Sequence, residues 1–233
     1  MTHYRVAVIT GEEYLDTDAV YDGSLVNRLI ARYDENVQVE PYVYLTKAGA
    51  IDEARTRIST YIERGYDSPL IEHKDNSDEE LYKYYTRYVD ADIDEDGNFI
   101  TTYNPDSKYD YYTKIDETTV GEFMEYGNDD NIDDDALLDE WNRYVTDGGM
   151  FYKPEYYRER YGDFETYRNW MRLPAVWAVV TPDGSWHEPG EVGWFACDDA
   201  TSDSLREWSA TFEERFIAPY TPGTKVVILD CHI

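Results

Sequence analysis

The sequence predicts an α+β fold: a mixed or antiparallel sheet built with strands from both chain ends, with helices packed on it. Three observations carry that expectation. A β-branched apolar run, Tyr4 to Thr10, lies near the start, and helically spaced apolar residues recur through the interior. Near the end, Val226-Val227-Ile228-Leu229 is continuous enough to predict a central strand buried on both faces. The 233 residues are 42% hydrophobic and 16% aromatic, enough to close a core, so residues 1–233 are expected to form a single domain despite a net charge of −29.

Taken in order, Tyr4–Thr10 is a buried strand ended by Gly11, and Ser24 is placed to cap a helix through Leu25, Val26, Leu29 and Ile30. Val37 to Leu45 alternates imperfectly around Pro41, which predicts an edge strand. Thr46 opens a helix through Ala50, Ala54, Ile58 and Ile62, stopped by Gly65. A further helix runs from Ser77 or Asp78 to Val89, with acids in the first turn where the helix dipole favours them. Asp94 to Asn98 is turn chemistry before the strand-like Phe99–Tyr103. Residues 128–140 begin as an Asn- and Asp-rich loop and become helical at Ala136, and Tyr152 to Met171 is helical in two pieces around Gly162. Ala175–Thr181 and Ser185–Glu188 form a hairpin across Pro182-Asp183-Gly184. Ser202 or Asp203 caps a helix carrying Leu205, Trp208, Phe212 and Phe216, and Lys225–Ile233 is the last strand.

The charge is concentrated. Residues 90–140 hold 18 acids and 2 bases, more than half of the excess, between ends of moderate composition. Such a surface repels bare nucleic acid and anionic lipid, because phosphate binding needs Lys and Arg to displace counterions. No run approaches the ~18 apolar residues of a membrane span. The start lacks the basic region, apolar core and cleavage site of a signal peptide, so the expected location is the cytoplasm. Cys197 and Cys231 are too few for a disulfide framework and are expected as free thiols.

Several constellations carry possible chemistry. Asp92, Asp94 and Asp96 before Gly97 have the spacing of the first half of a calcium loop, but Tyr103 stands where the bidentate glutamate belongs, and an acidic hairpin without metal is the favoured reading. His187, Cys197, Cys231 and His232 are numerous enough for zinc yet lack its spacings, and adjacent Cys231 and His232 on a strand point to opposite faces. Lys108, Asp110 and His232 are the candidate catalytic groups, with Asp230, His187 and His232 as the source of any Asp–His pair. Phosphate-binding glycine loops, G-x-S-x-G and H-E-x-x-H are absent. Asp129, Asp130, Asp133, Asp134 and Asp135, with Tyr109, Tyr111 and Tyr112, form the candidate binding set. Among 24 tyrosines, those beside acids can imitate the bases and phosphates of a nucleic-acid strand.

Tyr103-Asn104-Pro105-Asp106-Ser107-Lys108-Tyr109-Asp110, the turn at Thr181–Glu188, the ending Asp230-Cys231-His232-Ile233, and the early Tyr33–Asn36 and Val39–Tyr42 together resemble a family of uncharacterised proteins of tailed phages and prophages. These pieces span the whole length. The family motif has tryptophan where Tyr109 stands, and its Gly-Gly-Arg-Trp segment is replaced by Thr113-Lys114-Ile115-Asp116. The resemblance implies a phage context in a host cytoplasm and no particular reaction. The expected function is that of a non-enzymatic acidic binding protein, a nucleic-acid-like decoy for a basic host or phage protein. The alternatives are a metal-dependent hydrolase or nucleotide-binding enzyme using Asp and His, and a virion or packaging accessory. No cofactor is expected beyond calcium or another divalent cation.

Overall fold

The computed structural model describes residues 3–11, 24–127, 133–193 and 197–233. Backbone contacts divide the chain, taken from sequence as one domain, into two compact units: Met1–Val37 with Pro105–Ile233, and Gln38–Asn104. No composition shift marks the boundaries, and the acidic segment of residues 90–140 runs across the second of them.

The larger unit is organised by a five-stranded mixed sheet of β1 (His3–Ile9), β5 (Tyr111–Thr119), β6 (Ala178–Val180), β7 (Trp186–His187) and β8 (Lys225–His232), in the order β5-β8-β1-β6-β7. β1 is parallel to β6 and antiparallel to β8, and β5 pairs antiparallel with β8. The apolar runs at the two chain ends are therefore neighbours, each buried on both faces. On one face Tyr4, Val6, Val8, Val227, Leu229 and Cys231 pack against Val26, Leu29 and Ile30 of α1 (Leu25–Ile30), with Tyr33 and Tyr109. On the other, Ala7, Ile9, Val226 and Ile228 meet Val120 and Phe123 of α4 (Val120–Phe123) and Trp208, Phe212 and Phe216 of α8 (Ser202–Phe216). A satellite cluster joins Leu137 and Trp141 of α5 (Asp134–Asp147) to Tyr167 of α7 (Phe164–Met171), with tyrosines of α6 (Pro154–Tyr161) packed on it.

The smaller unit is an antiparallel sheet ordered β2-β4-β3, from Tyr42–Leu45, Phe99–Thr101 and Asp92–Ile93, with α2 (Lys47–Arg64) and α3 (Asp78–Tyr88). Ala50, Ala54 and Ile58 recur every four residues on α2 and close a core with Leu70, Leu81, Tyr82, Tyr85 and Phe99. The Thr46 hydroxyl accepts from Gly49 N, and Gly65 ends the helix at φ 68°, a conformation glycine adopts without strain. Ser77 and Glu80 form a reciprocal capping box at α3.

Three sequence expectations are adjusted. The cap of α8 is Thr201, bonded reciprocally with Ser204, one residue ahead of the expected Ser202 or Asp203. α5 starts at Asp134, two residues ahead of the expected Ala136, because the Asp133 carboxylate accepts from Asp135 N and the acids that follow sit at the positive helix end. β5 is a strand where the sequence predicts no element: its polar residues lie on a sheet edge and need only one covered face.

Twenty-one bases cannot neutralise 50 acids, and the fold uses phenols as neutral donors instead. Tyr85 donates to Glu53 at 2.9 Å, and Tyr144 and Tyr167 both donate to Glu140, at 2.9 and 2.7 Å. Burial, and then these carboxylates, hold the three phenols above their ordinary range.

Leu229→Ala is expected to lower unfolding free energy by about 2–5 kcal/mol, as for other large-to-small core changes. Leu138→Ala, at a position 39% exposed, should cost under ~0.5 kcal/mol. Urea denaturation of the two variants compares them directly, and equal losses would contradict the two-faced burial of β8.

Candidate functional site

The residues of the family-like motif are mostly structural. Lys108 N donates to Tyr33 O at 2.7 Å, and its carbonyl accepts from the Tyr4 hydroxyl. Its ammonium bridges Glu188 at 2.9 Å and Glu191 at 2.7 Å. Burial disfavours that charge, but the hydrogen bonds to the two glutamates outweigh it and raise the lysine pKa, so Lys108 is a locked cation rather than a proton-transfer group. Tyr109, expected at a recognition surface, is 1% exposed and donates to Ile30 O at 3.2 Å. It fills a place in the core beside Tyr33 and Ile30. Tyr112 is half-buried against the same core and accepts from Asn27 at 3.2 Å. Only Tyr111 of the three is exposed.

Lys108, Asp110 and His232 do not form a catalytic group. Asp110 N donates to His232 O at 3.0 Å, but the Asp110 carboxylate couples to Tyr4, on the face of the sheet that also holds Cys231. Asp110 Oδ1 is buried there without a hydrogen-bond partner among the described residues. The His232 ring points to the opposite face, as strand alternation requires.

That opposite face brings together a different set. Asp230 and His232 are two residues apart on β8 and share a face, and the antiparallel register sets His3 opposite His232 and Arg5 opposite Asp230. His3 Nδ1 lies 3.0 Å from Asp230 Oδ2. The two imidazoles are tilted by 52° with centroids 3.9 Å apart, and Tyr111 meets His232 edge-on at 5.3 Å. One donor atom from each of His3, Asp230 and His232 falls within 4.8 Å of the others. Beside them opens a cleft of about 470 Å³, lined by His3, Arg5, Trp170, Met171, Leu173 and Trp177 among others. The sequence singles out Asp230 and His232 but not His3, because strand register is non-local.

The other metal sets do not assemble. Asp94 accepts from Asn98 N at 2.8 Å, Asn98 Nδ2 at 3.0 Å and Asp96 N at 3.0 Å, and those bonds, the Asn98 pair foremost, hold its carboxyl below the usual range. It closes the β3–β4 turn, and Asp92, Asp94 and Asp96 do not converge as a ligand group. Cys231 is buried with its thiol pushed up by desolvation and then by Asp230, while Cys197 is exposed. His187 is held elsewhere, by Thr181 at 3.3 Å and Arg215 at 3.1 Å.

Of the acidic binding set, Asp129 and Asp130 lie outside the described residues. Asp133 caps α5, Asp134 pairs with Arg172 at 2.6 Å, and Asp135 is exposed. Sequence reasoning missed a second cleft, of about 440 Å³, within the smaller unit. Tyr42, Tyr44 and Tyr103 line it with Asp90 and Asp92, and no lysine or arginine does. Asp90 adopts φ 52°, an uncommon conformation for a residue other than glycine. Among the described residues neither the Asp90 nor the Asp92 carboxylate has an ion-pair or hydrogen-bond partner. No helix among the described residues is long and apolar enough to cross a membrane.

Comparison with family models, with curated proteins and with solved structures finds no match for this chain.

Two measurements test the local chemistry. Burial and then Arg215 lower the pKa of His187 below its ordinary value of 6.5, so its stabilising contribution is present above that value. It is lost as pH falls below it, when the unfolded ring takes up a proton the folded one refuses. The stability gap between the native chain and His187→Gln should therefore narrow on acidification from neutral pH, and a gap independent of pH would refute the assignment. Alkylation of the folded protein should modify Cys197 and spare Cys231, with both modified after denaturation, as read by intact mass.

Proposed function

We propose that the protein binds a basic polypeptide and acts as a nucleic-acid-like decoy, in the phage setting that its motif resembles. The observation that carries this reading is the cleft of the smaller unit, where three tyrosine rings meet two unpaired carboxylates. A lysine or arginine side chain gains twice there. Its charge faces Asp90 and Asp92, and its cationic head can lie over a ring, worth ~0.5–1 kcal/mol when exposed and ~2 when desolvated.

The chain already pairs rings and cations in this way: Lys47 Nζ lies 4.8 Å from the centroid of Tyr82, and the Arg32 guanidinium 5.0 Å from that of Tyr33. Ring beside carboxylate also supplies the two features, flat stacking surface and negative charge, by which a nucleic-acid-binding protein recognises a strand. The net charge of −29 adds long-range steering, which speeds encounter with a basic partner and fades with salt.

Fluorescence anisotropy with an arginine- and lysine-rich peptide, and a panel of nucleic-acid-binding proteins of the host, tests the reading. Binding should be measurable at low ionic strength and weaken as salt rises. The double variant Asp90→Asn with Asp92→Asn should weaken peptide binding about tenfold, as expected for loss of roughly 1.4 kcal/mol, whereas Asp135→Asn should change it little. No binding at low salt, or equal effects of the two variants, would overturn the proposal.

A further inference from the structure

We infer that His3, Asp230 and His232 form a site for a divalent transition ion of the zinc class, with its open positions toward the cleft beside β1. The inference is independent of the acidic cleft in the smaller unit. Two imidazoles and one carboxylate are the donor set that borderline ions prefer, whereas calcium and magnesium require shells of oxygen. Three protein donors leave at least one position for water or another ligand.

The geometry comes from the most constrained part of the fold. Register places His3 across from His232, and strand alternation puts Asp230 on the same face, so two adjacent buried strands set the spacing. Donor atoms already within 4.8 Å of one another need only small side-chain rotations to share an ion. Tyr111, edge-on to His232 at 5.3 Å, restricts the ring from the neighbouring strand.

A second observation points to a ligand. His232 Nδ1 is buried with no hydrogen-bond partner among the described residues. Leaving such an atom unsatisfied is costly, and a ring whose polar needs are met by a non-protein group accounts for it. Arg5 lies across from Asp230 and lines the same cleft. In a chain with 50 acids, its guanidinium has no ion pair among the described residues. A cation kept beside the open coordination positions disposes them toward an anionic oxygen ligand, for which inorganic phosphate is the probe.

Isothermal titration of the full chain with zinc, and with cobalt followed by its visible absorption, decides the matter. One equivalent should bind, and cobalt should show the absorption of a site containing nitrogen donors. His3→Ala and Asp230→Asn should each weaken zinc at least about tenfold, while His73→Ala, in the smaller unit, should leave it unchanged. Circular dichroism confirms that each variant is folded, and Asp230→Asn, which keeps the shape of the side chain, serves if His3→Ala is not.

Calcium titrated in parallel reports indiscriminate binding to surface acids and should be insensitive to all three variants. Phosphate should bind the zinc-loaded protein and lose at least about tenfold in affinity in Arg5→Gln. Zinc binding that survives both His3→Ala and Asp230→Asn would overturn the site. Phosphate binding unaffected by Arg5→Gln would overturn the assignment of its ligand.

Discussion

The pairing of β1 with β8 is the constraint on which the larger unit depends. Each strand is buried on both faces, so its register is set twice, once by each core. A slip of one residue would exchange Tyr4, Val6 and Val8 with Arg5, Ala7 and Ile9, driving a charged residue into one core and Tyr4 into the other. The same register that packs Val227 and Leu229 also delivers His3, Asp230 and His232 to one place at the end of the sheet. The family-like motif is tied into this frame through the Tyr4 hydroxyl and the carbonyl of Lys108. Its conspicuous residues serve the scaffold, and the His3–Asp230–His232 group lies on the face they do not occupy.

Acidity is handled in two ways. Some carboxylates are drawn into the structure. Glu117 is held between Lys114 at 2.9 Å and Lys225 at 2.8 Å, and Glu140 takes hydrogen bonds from two phenols. Others, Asp90 and Asp92 among them, have no ion-pair or hydrogen-bond partner among the described residues. The abundance of tyrosine follows from the shortage of bases: a phenol satisfies a carboxylate without needing a charge of its own, and its ring adds apolar area to the core.

Much of this was legible in the amino-acid sequence because it rests on local chemistry. Thr46 and Gly65 bracket α2, Ser77 and Glu80 mark the start of α3, Gly162 separates α6 from α7, and Asp183-Gly184 turns the β6–β7 hairpin. The apolar run at Val226–Leu229 indicated a strand covered on both sides. What escaped depends on pairing across the chain. β5 carries acids and threonines and becomes a strand only because β8 offers it a partner. Tyr109 has the flanking residues of a surface aromatic and lies in the core, and His3 acquires its neighbours from a residue more than two hundred positions away. The acidic cleft joins Tyr42 and Tyr44 to Tyr103 by way of the β2–β4 ladder, a relation absent from any short window.

The division of the chain also shapes how the molecule comes into being. The smaller unit is one uninterrupted stretch, and its two ends are already joined by a hydrogen bond from Val39 N to Thr102 O at 3.0 Å. It can close on the ribosome as soon as it emerges. β1 precedes both of its neighbours, β6 and β8, in the chain and must wait for each of them to be made. During that interval an apolar strand is without its ladder, which leaves β1 in need of shielding by chaperones until β6 and β8 arrive.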